Sequence, residues 1–441
     1  MIDFHPSELE SRDNERLGCY RRYLDFYNGK QWPSPTRARE RHLVFNYAKV
    51  FIDKATSHLM HGLSFPCYLV EESDELKGKV NQVESLLREV YEQNSLQQLD
   101  WETEIDTAIL GDGCYKVFWD VNQRCIRVTS PDPSGIFAWW MGDDLSRVWR
   151  VASRYFLSRE EARILYGVKT DRGKVKITEV WTEKLFDLWM DEELIESKRN
   201  PYGFIPFIIF PNLRQPKQFW GISDIPQVME PQRELNRAIS RLSRILEVSG
   251  NPIAVLENVP AEKDIKVEPG AVWTLPEDAK AYLLDLLQGG GIRLHIDYID
   301  IIYRCLHDIS ETPRAAFGGV EKDLSGTALS IELGALVQKV TRKRTTRTAA
   351  YHRRTELILK LAEKFMQQDF RGVLHGVVWG PILPADMQRQ SQSEQLLVQW
   401  GIHSRRTAMD EVGVQNPDVE FGRWLEERAK IRQQDIDLSV S

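Results

Sequence analysis

From Thr327 to Gln368 the chain has no proline, and Gly334 is the only glycine. A stretch so free of breakers reads as one helix, about 60 Å long at about 1.5 Å per residue if it is continuous. A rod of that length normally crosses a large assembly. Its middle is strongly basic. Residues 339–354 carry seven Lys or Arg and no acid, within a chain whose formal net charge is −7. A basic block in an acidic protein marks a place where a polyanion or an acidic partner docks. Gly318 and Gly319, then Ser325-Gly326-Thr327-Ala328-Leu329, read as a glycine-hinged loop feeding the rod.

The chain of 441 residues is long enough for two or three domains. The five cysteines (Cys19, Cys67, Cys114, Cys125 and Cys305) are odd in number and widely spaced. They support neither a zinc site nor a disulfide framework, and a reducing compartment fits them best. The first residues, MIDFHPSELESRDNER, are polar and acidic, unlike a signal peptide. The longest apolar run, Phe204 to Phe210, is too short to span a membrane.

Apolar periodicity predicts helices over residues 8–28, 46–60, 76–94 and 96–110, with Asn46 as an N-cap. Residues 65–71 read as a strand. From residue 111 to 212 the texture changes to short β-rich segments, at 114–120, 123–130, 136–141, 148–156, 174–182, 185–190 and 207–210. Ser158 with Glu161 has capping-box spacing. A clean helix follows from Ile225 to Val248, with an apolar seam at Leu235, Ile239, Leu242 and Leu246. Arg233, Arg237, Arg241 and Arg244 form a second row on it. Two strands, Pro252–Glu257 and Ala271–Leu275, sit in a compact insertion. A helix from Ile292 to Ser310 returns from it. After Gln368 come residues 373–379, a helix from 391 to 401, and an acidic tail from Asp410 that reads as frayed.

No catalytic constellation stands out. G-x-x-x-x-G-K-[ST], G-x-S-x-G and H-E-x-x-H are all missing from the sequence. Asp297 and Asp300, three apart on a helix, are far more often solvated surface than a metal site. His58 and His61 have no third ligand nearby, and Gly111-Asp112-Gly113 is a turn rather than a phosphate loop. No cofactor is expected.

Several ordered segments resemble the portal proteins of tailed bacteriophages, of the siphophage type. They are Phe26-Tyr27-Asn28-Gly29-Lys30, Asn46 to Asp53, Gly221-Ile222-Ser223-Asp224 with Glu234-Leu235-Asn236-Arg237, and Thr312-Pro313 with Ser325 to Leu329. Late in the chain Gly401 to Thr407 and Asn416 to Glu420 complete the set. The resemblance implies an α+β, portal-type subunit. Its wing would be residues 1–220, its stem helices 221–250 and 291–313, and its small β-rich clip 251–290. The tunnel loop would be 314–327, the long helix 328–370, and a C-terminal wing with a short crown-like tail 371–441. It implies a ring of usually twelve subunits at a capsid vertex of the virion, assembled in the host cytoplasm, and no enzyme. The implied partners are double-stranded DNA, the terminase large subunit, scaffold and major capsid protein, and a head–tail adaptor, with no membrane.

Under that resemblance the loop residues Arg314, Phe317, Gly318, Gly319, Val320, Glu321, Lys322 and Asp323 touch passing DNA. Their charge is close to balanced, so they can touch a phosphate backbone and release it. The basic row (Lys339, Arg342, Lys343, Arg344, Arg347, Arg353 and Arg354) is expected to pair with acidic surface on neighbouring subunits or scaffold. Two other readings compete: a nucleic-acid-processing enzyme gripping substrate with the basic helix, and a scaffold protein without DNA.

Overall fold

Helix gives way to sheet at Gly111, where the sequence texture changes. The computed structural model describes residues 4–32, 42–69, 74–167, 173–250, 253–258, 278–284, 291–319, 326–383, 387–414 and 417–440. Packing divides the chain into two units, Met1–Trp379 and Gly380–Ser441.

The first unit opens with α1 (Glu8–Arg12), α2 (Asn14–Tyr27) and α3 (Tyr47–Leu59). Strand β1 (Cys67–Leu69), α4 (Asp74–Gln93) and α5 (Leu96–Leu110) follow. Asn46 caps α3 as predicted, its side chain accepting from the Lys49 amide. Gly111 ends α5 in the left-handed region, at φ +104°.

Strands β2 (Asp112–Asp120), β3 (Cys125–Thr129), β4 (Ile136–Met141) and β5 (Asp144–Ser158) come next. After α6 (Arg159–Tyr166) the chain continues through β6 (Lys174–Trp181), β7 (Leu185–Met190), β8 (Glu193–Arg199) and β9 (Phe207–Pro211). Two antiparallel sheets result, one in the order β3-β2-β9 and one a meander β4-β5-β6-β7-β8. The Ser158–Glu161 capping box is present at the start of α6. Strand β8 is not legible in the sequence, because all its residues are exposed and no apolar alternation marks it. The outer edge of β4 is closed by side chains. Arg12 donates to the Ala138 carbonyl, and Arg16 to those of Pro133 and Ile136. Edge carbonyls thus find donors without another strand.

Helix α7 (Pro226–Gly250) leads to the antiparallel hairpin β10 (Ile253–Glu257) and β11 (Lys280–Leu284), and α8 (Gly291–Ser310) returns. The expected strand at Ala271–Leu275 lies outside the described residues, and β11 is an addition to what periodicity predicts. A 3₁₀ turn at Arg314–Phe317 precedes α9 (Gly326–Glu332) and α10 (Gly334–Phe365). The single long rod is therefore two helices. They part at Leu333, immediately before the one glycine of the stretch. The C-terminal end comes early too, since Gln367 takes φ +54°. Strand β12 (Val373–His375) then pairs with β1.

Three apolar cores hold this unit. One joins α2, α3 and α5 to the near ends of α7 and α8. Another packs α10 on α4, β2 and β9, and the third lies under the meander. The second unit contains α11 (Met387–Gln399), α12 (Arg405–Glu411) and α13 (Pro417–Val440). Its last 24-residue helix replaces the expected frayed tail. Helices with antiparallel sheets make the fold class α+β, as expected.

Gly113 has no room for a side chain. A Cβ there would lie 2.3 Å from Thr107 Oγ1 and 2.4 Å from Phe210 Cζ. Gly113→Ala is expected to lower stability by about 1–3 kcal/mol in urea unfolding. Gly78→Ala, at an open helical position, is expected to raise it by about 0.5–1 kcal/mol.

Candidate functional site

Helix α10 places cations on one side at Lys339, Lys343 and Arg347, each one turn apart, and again at Arg354. With Arg344, these side chains are buried, Arg347 and Arg354 almost completely. Their partners come from the same unit. Lys343 Nζ lies 2.6 Å from Asp224 Oδ2, and Lys339 Nζ lies 3.5 Å from it while donating to the Ser310 carbonyl at 3.0 Å. Arg347 grips both oxygens of Glu104 at 2.8 and 2.7 Å, and donates to the Pro211 and Asn212 carbonyls. Arg354 binds Asp100 through both oxygens and donates to the Tyr91 hydroxyl at 2.6 Å. Arg344 donates to the carbonyls of His58, Leu59 and His61 at the end of α3, where a cation complements the helix dipole.

Contacts with neighbouring subunits or scaffold, expected for much of the row, therefore do not describe these five side chains. Burying a charge demands a partner close by, and each finds one inside its own unit. Arg342 and Arg353 stay on the surface, Arg342 paired with Glu311.

Burial on its own raises the Asp224 carboxyl, but the ammonium groups of Lys339 and Lys343 outweigh it and hold it below the usual carboxylate range. Burial lowers the Lys343 ammonium against the pull of Asp224. Asp224 also orders its surroundings, with Asn212 Nδ2 donating to it at 3.2 Å and to the Ile222 carbonyl at 2.9 Å. The segment Gly221–Asp224 is pressed onto Gly111 and the start of β2, a strand where the sequence suggested a turn. Asp112 accepts from the Gly221 amide at 2.8 Å and from the Tyr20 hydroxyl.

The predicted stem row does not act as a unit. Arg233 leans inward to the Gln31 carbonyl and pairs with Glu230, Arg237 pairs with Glu234, and Arg241 and Arg244 are exposed. The inward grip of α7 comes from amides instead. Gln232 and Asn236 exchange hydrogen bonds with the backbone of Phe45 and Tyr47. Of the predicted loop, Arg314, Phe317, Gly318 and Gly319 form a turn docked on the body, and Val320, Glu321, Lys322 and Asp323 lie outside the described residues. The Phe317 ring packs near Phe51 and His307, and Arg314 lies over Tyr303. His307 Nδ1 is 2.6 Å from the Thr312 carbonyl, and burial lowers its pKa. Gly318 turns the chain at φ +79°.

Sequence reasoning misses Asp100, Glu104 and Asp224 as partners. A signal exists: Asp100 and Glu104 are one turn apart on α5, like the cations on α10. Among the described residues no cluster of three or more His, Cys, Asp or Glu is placed to hold a metal ion. No described helix is long and apolar enough to cross a membrane.

Residues 7–434 match the family "Phage portal protein, SPP1 Gp6-like". The chain belongs to this family. No curated protein matches it. As a portal protein it is a phage capsid component that serves DNA packaging, and the family implies a ring at the capsid vertex. The family is structural rather than enzymatic.

Asp224→Asn would leave two buried ammonium groups short of charge. It is expected to cost about 3–5 kcal/mol in urea unfolding, against less than about 1 kcal/mol for Arg342→Ala at the exposed pair. Burial raises the Asp112 carboxyl to about 6, despite the opposing bonds from Tyr20 and Gly221 and the charge of Arg16. An unfolded carboxyl titrates near ~3.9, so the folded portal binds the extra proton between those values. Stability is then lost as pH rises from about 4 to about 6. In Asp112→Asn that loss should be absent, so wild-type and variant unfolding energies should diverge by roughly 3 kcal/mol across the window.

Proposed function

We propose that the protein forms a ring of twelve subunits whose α7 and α8 are the stem around a DNA channel. Residues 251–290 serve as the clip, meeting the terminase large subunit during packaging and a head–tail adaptor afterwards. The tunnel loop, from Arg314 through Val320, Glu321, Lys322 and Asp323, touches the passing duplex. Its near-balanced charge lets it contact phosphates without holding them. The wing is residues 1–220, and residues 371–441 supply the C-terminal wing and a short crown-like tail. Scaffold and major capsid protein meet the wing in the capsid.

One observation supports this reading above others: α8 is apolar on two sides. Ile302 and Leu306 are buried towards the body. On another side Leu294, Tyr298, Ile301, Cys305 and Ile309 recur at helical spacing, and all are exposed, Leu294 at 72% and Ile301 at 58%. An apolar stripe of this kind on a subunit marks an interface. A ring supplies it with a neighbouring stem.

Wild-type protein is expected to give rings in native mass spectrometry and negative-stain images. Leu294→Asp with Ile301→Asp should give folded monomers with unchanged circular dichroism. Rings of normal size from this double variant would remove the stem from the interface, and a wild type that stays monomeric would remove the ring itself.

A further inference from the structure

Arg342 and Arg353 are the members of the basic row outside the buried network, and Arg342 is paired with Glu311. Arg353 lies at a cleft of about 310 Å³ between β9, the start of β5 and α10. Val148, Ile208, Phe219 and Ala349 contribute apolar lining, and Arg214 supplies a second guanidinium. No residue lining the cleft is acidic. Arg214 and Arg353 are exposed, and Glu356, the carboxylate that feels the charge of Arg353, is itself paired with Lys360 at 2.6 Å. The chemistry that fits is an apolar knob carrying a carboxylate.

The same chain carries such a knob on α6. Its capping box and the buried Ala162 fix the helix on the meander. Ile164 and Leu165 nevertheless point away from any core, 81% and 62% exposed. Glu160 lies one turn before Ile164 and is exposed on the same side. Knob and cleft belong to opposite ends of β5. Val148 lines the cleft and Ser158 caps α6, so roughly 30 Å of extended strand separates them at about 3.3 Å per residue. They cannot meet within one subunit. A cyclic ring needs two different complementary patches on each subunit, one for each neighbour.

We propose that α6 of one subunit docks through Glu160, Ile164 and Leu165 into the Arg214–Arg353 cleft of the next. This contact rests on the ring reading above. It lies outside the stem and adds a second, charge-selected contact that sets the register between neighbours.

The test uses the full chain, with assembly followed by native mass spectrometry and sedimentation over a range of concentrations. Arg214→Glu with Arg353→Glu is expected to raise the concentration for half-assembly about tenfold or more, with circular dichroism unchanged. Glu160→Lys with Ile164→Ser should give the same defect from the other side. Glu160→Lys combined with Arg353→Glu should assemble better than either charge reversal alone. Normal assembly of the Arg214/Arg353 variant overturns the cleft, and normal assembly of the Glu160/Ile164 variant overturns α6 as its occupant. A charge swap no better than its parents overturns the pairing. A monomeric wild type overturns the ring reading and this contact with it.

Discussion

The ammonium group of Lys339 lies between Asp224, just before α7, and Ser310, the last residue of α8. One buried cation on α10 therefore holds both feet of the excursion that runs out along α7, through the β10–β11 hairpin and back along α8. Lys343 reinforces the same carboxylate, and Arg347 ties the neighbouring Asn212 to Glu104 of α5. Buried ion pairs are weak evidence for stability, because desolvation offsets much of the attraction. They are demanding about geometry, since moving either partner leaves a charge unpaired in a poor dielectric. Here that demand fixes where α7 and α8 leave the body.

The consequence is a gradient along α7 and α8. At its feet Leu235 and Leu306 are buried in the core shared with α2, α3 and α5. Towards the hairpin Leu246 and Leu294 are exposed. A subunit organised this way is buried at the clamp and leaves apolar surface further out, where the proposed ring would supply a neighbour.

Much of this is legible in the sequence, and what is not has identifiable physical causes. The Asn46 cap, the Ser158–Glu161 box, the α7 and α8 pair and strands β4 to β7 of the meander follow from local periodicity and capping chemistry. Strand β8 carries no alternation because neither of its faces is buried. The break at Leu333 is masked by good helix formers on both sides of Gly334. The basic row misleads for a different reason. Seven cations in sequence look like a surface, because burial depends on acids that are distant in the chain: Asp100 and Glu104 on α5, and Asp224 before α7. Spacing alone puts Lys339, Lys343 and Arg347 on one side, and only tertiary structure shows that this side faces carboxylates.

Turning that row inward decides how the exterior treats DNA. Five of the cations that would have formed a polyanion-binding strip are held inside the subunit by three carboxylates and by backbone carbonyls, so they make no phosphate contacts outside. Arg342 is held by Glu311, and Arg353 lies at the cleft assigned above to a neighbouring subunit. The acid excess of the chain is thus left uncompensated by its densest basic segment. Such a surface repels a duplex weakly, which favours passage over binding. The turn at Arg314–Phe317, packed against Phe51, His307 and Tyr303, would be the fixed root of the tunnel loop in the proposed channel, so that the duplex meets a loop anchored on the body and not the basic helix.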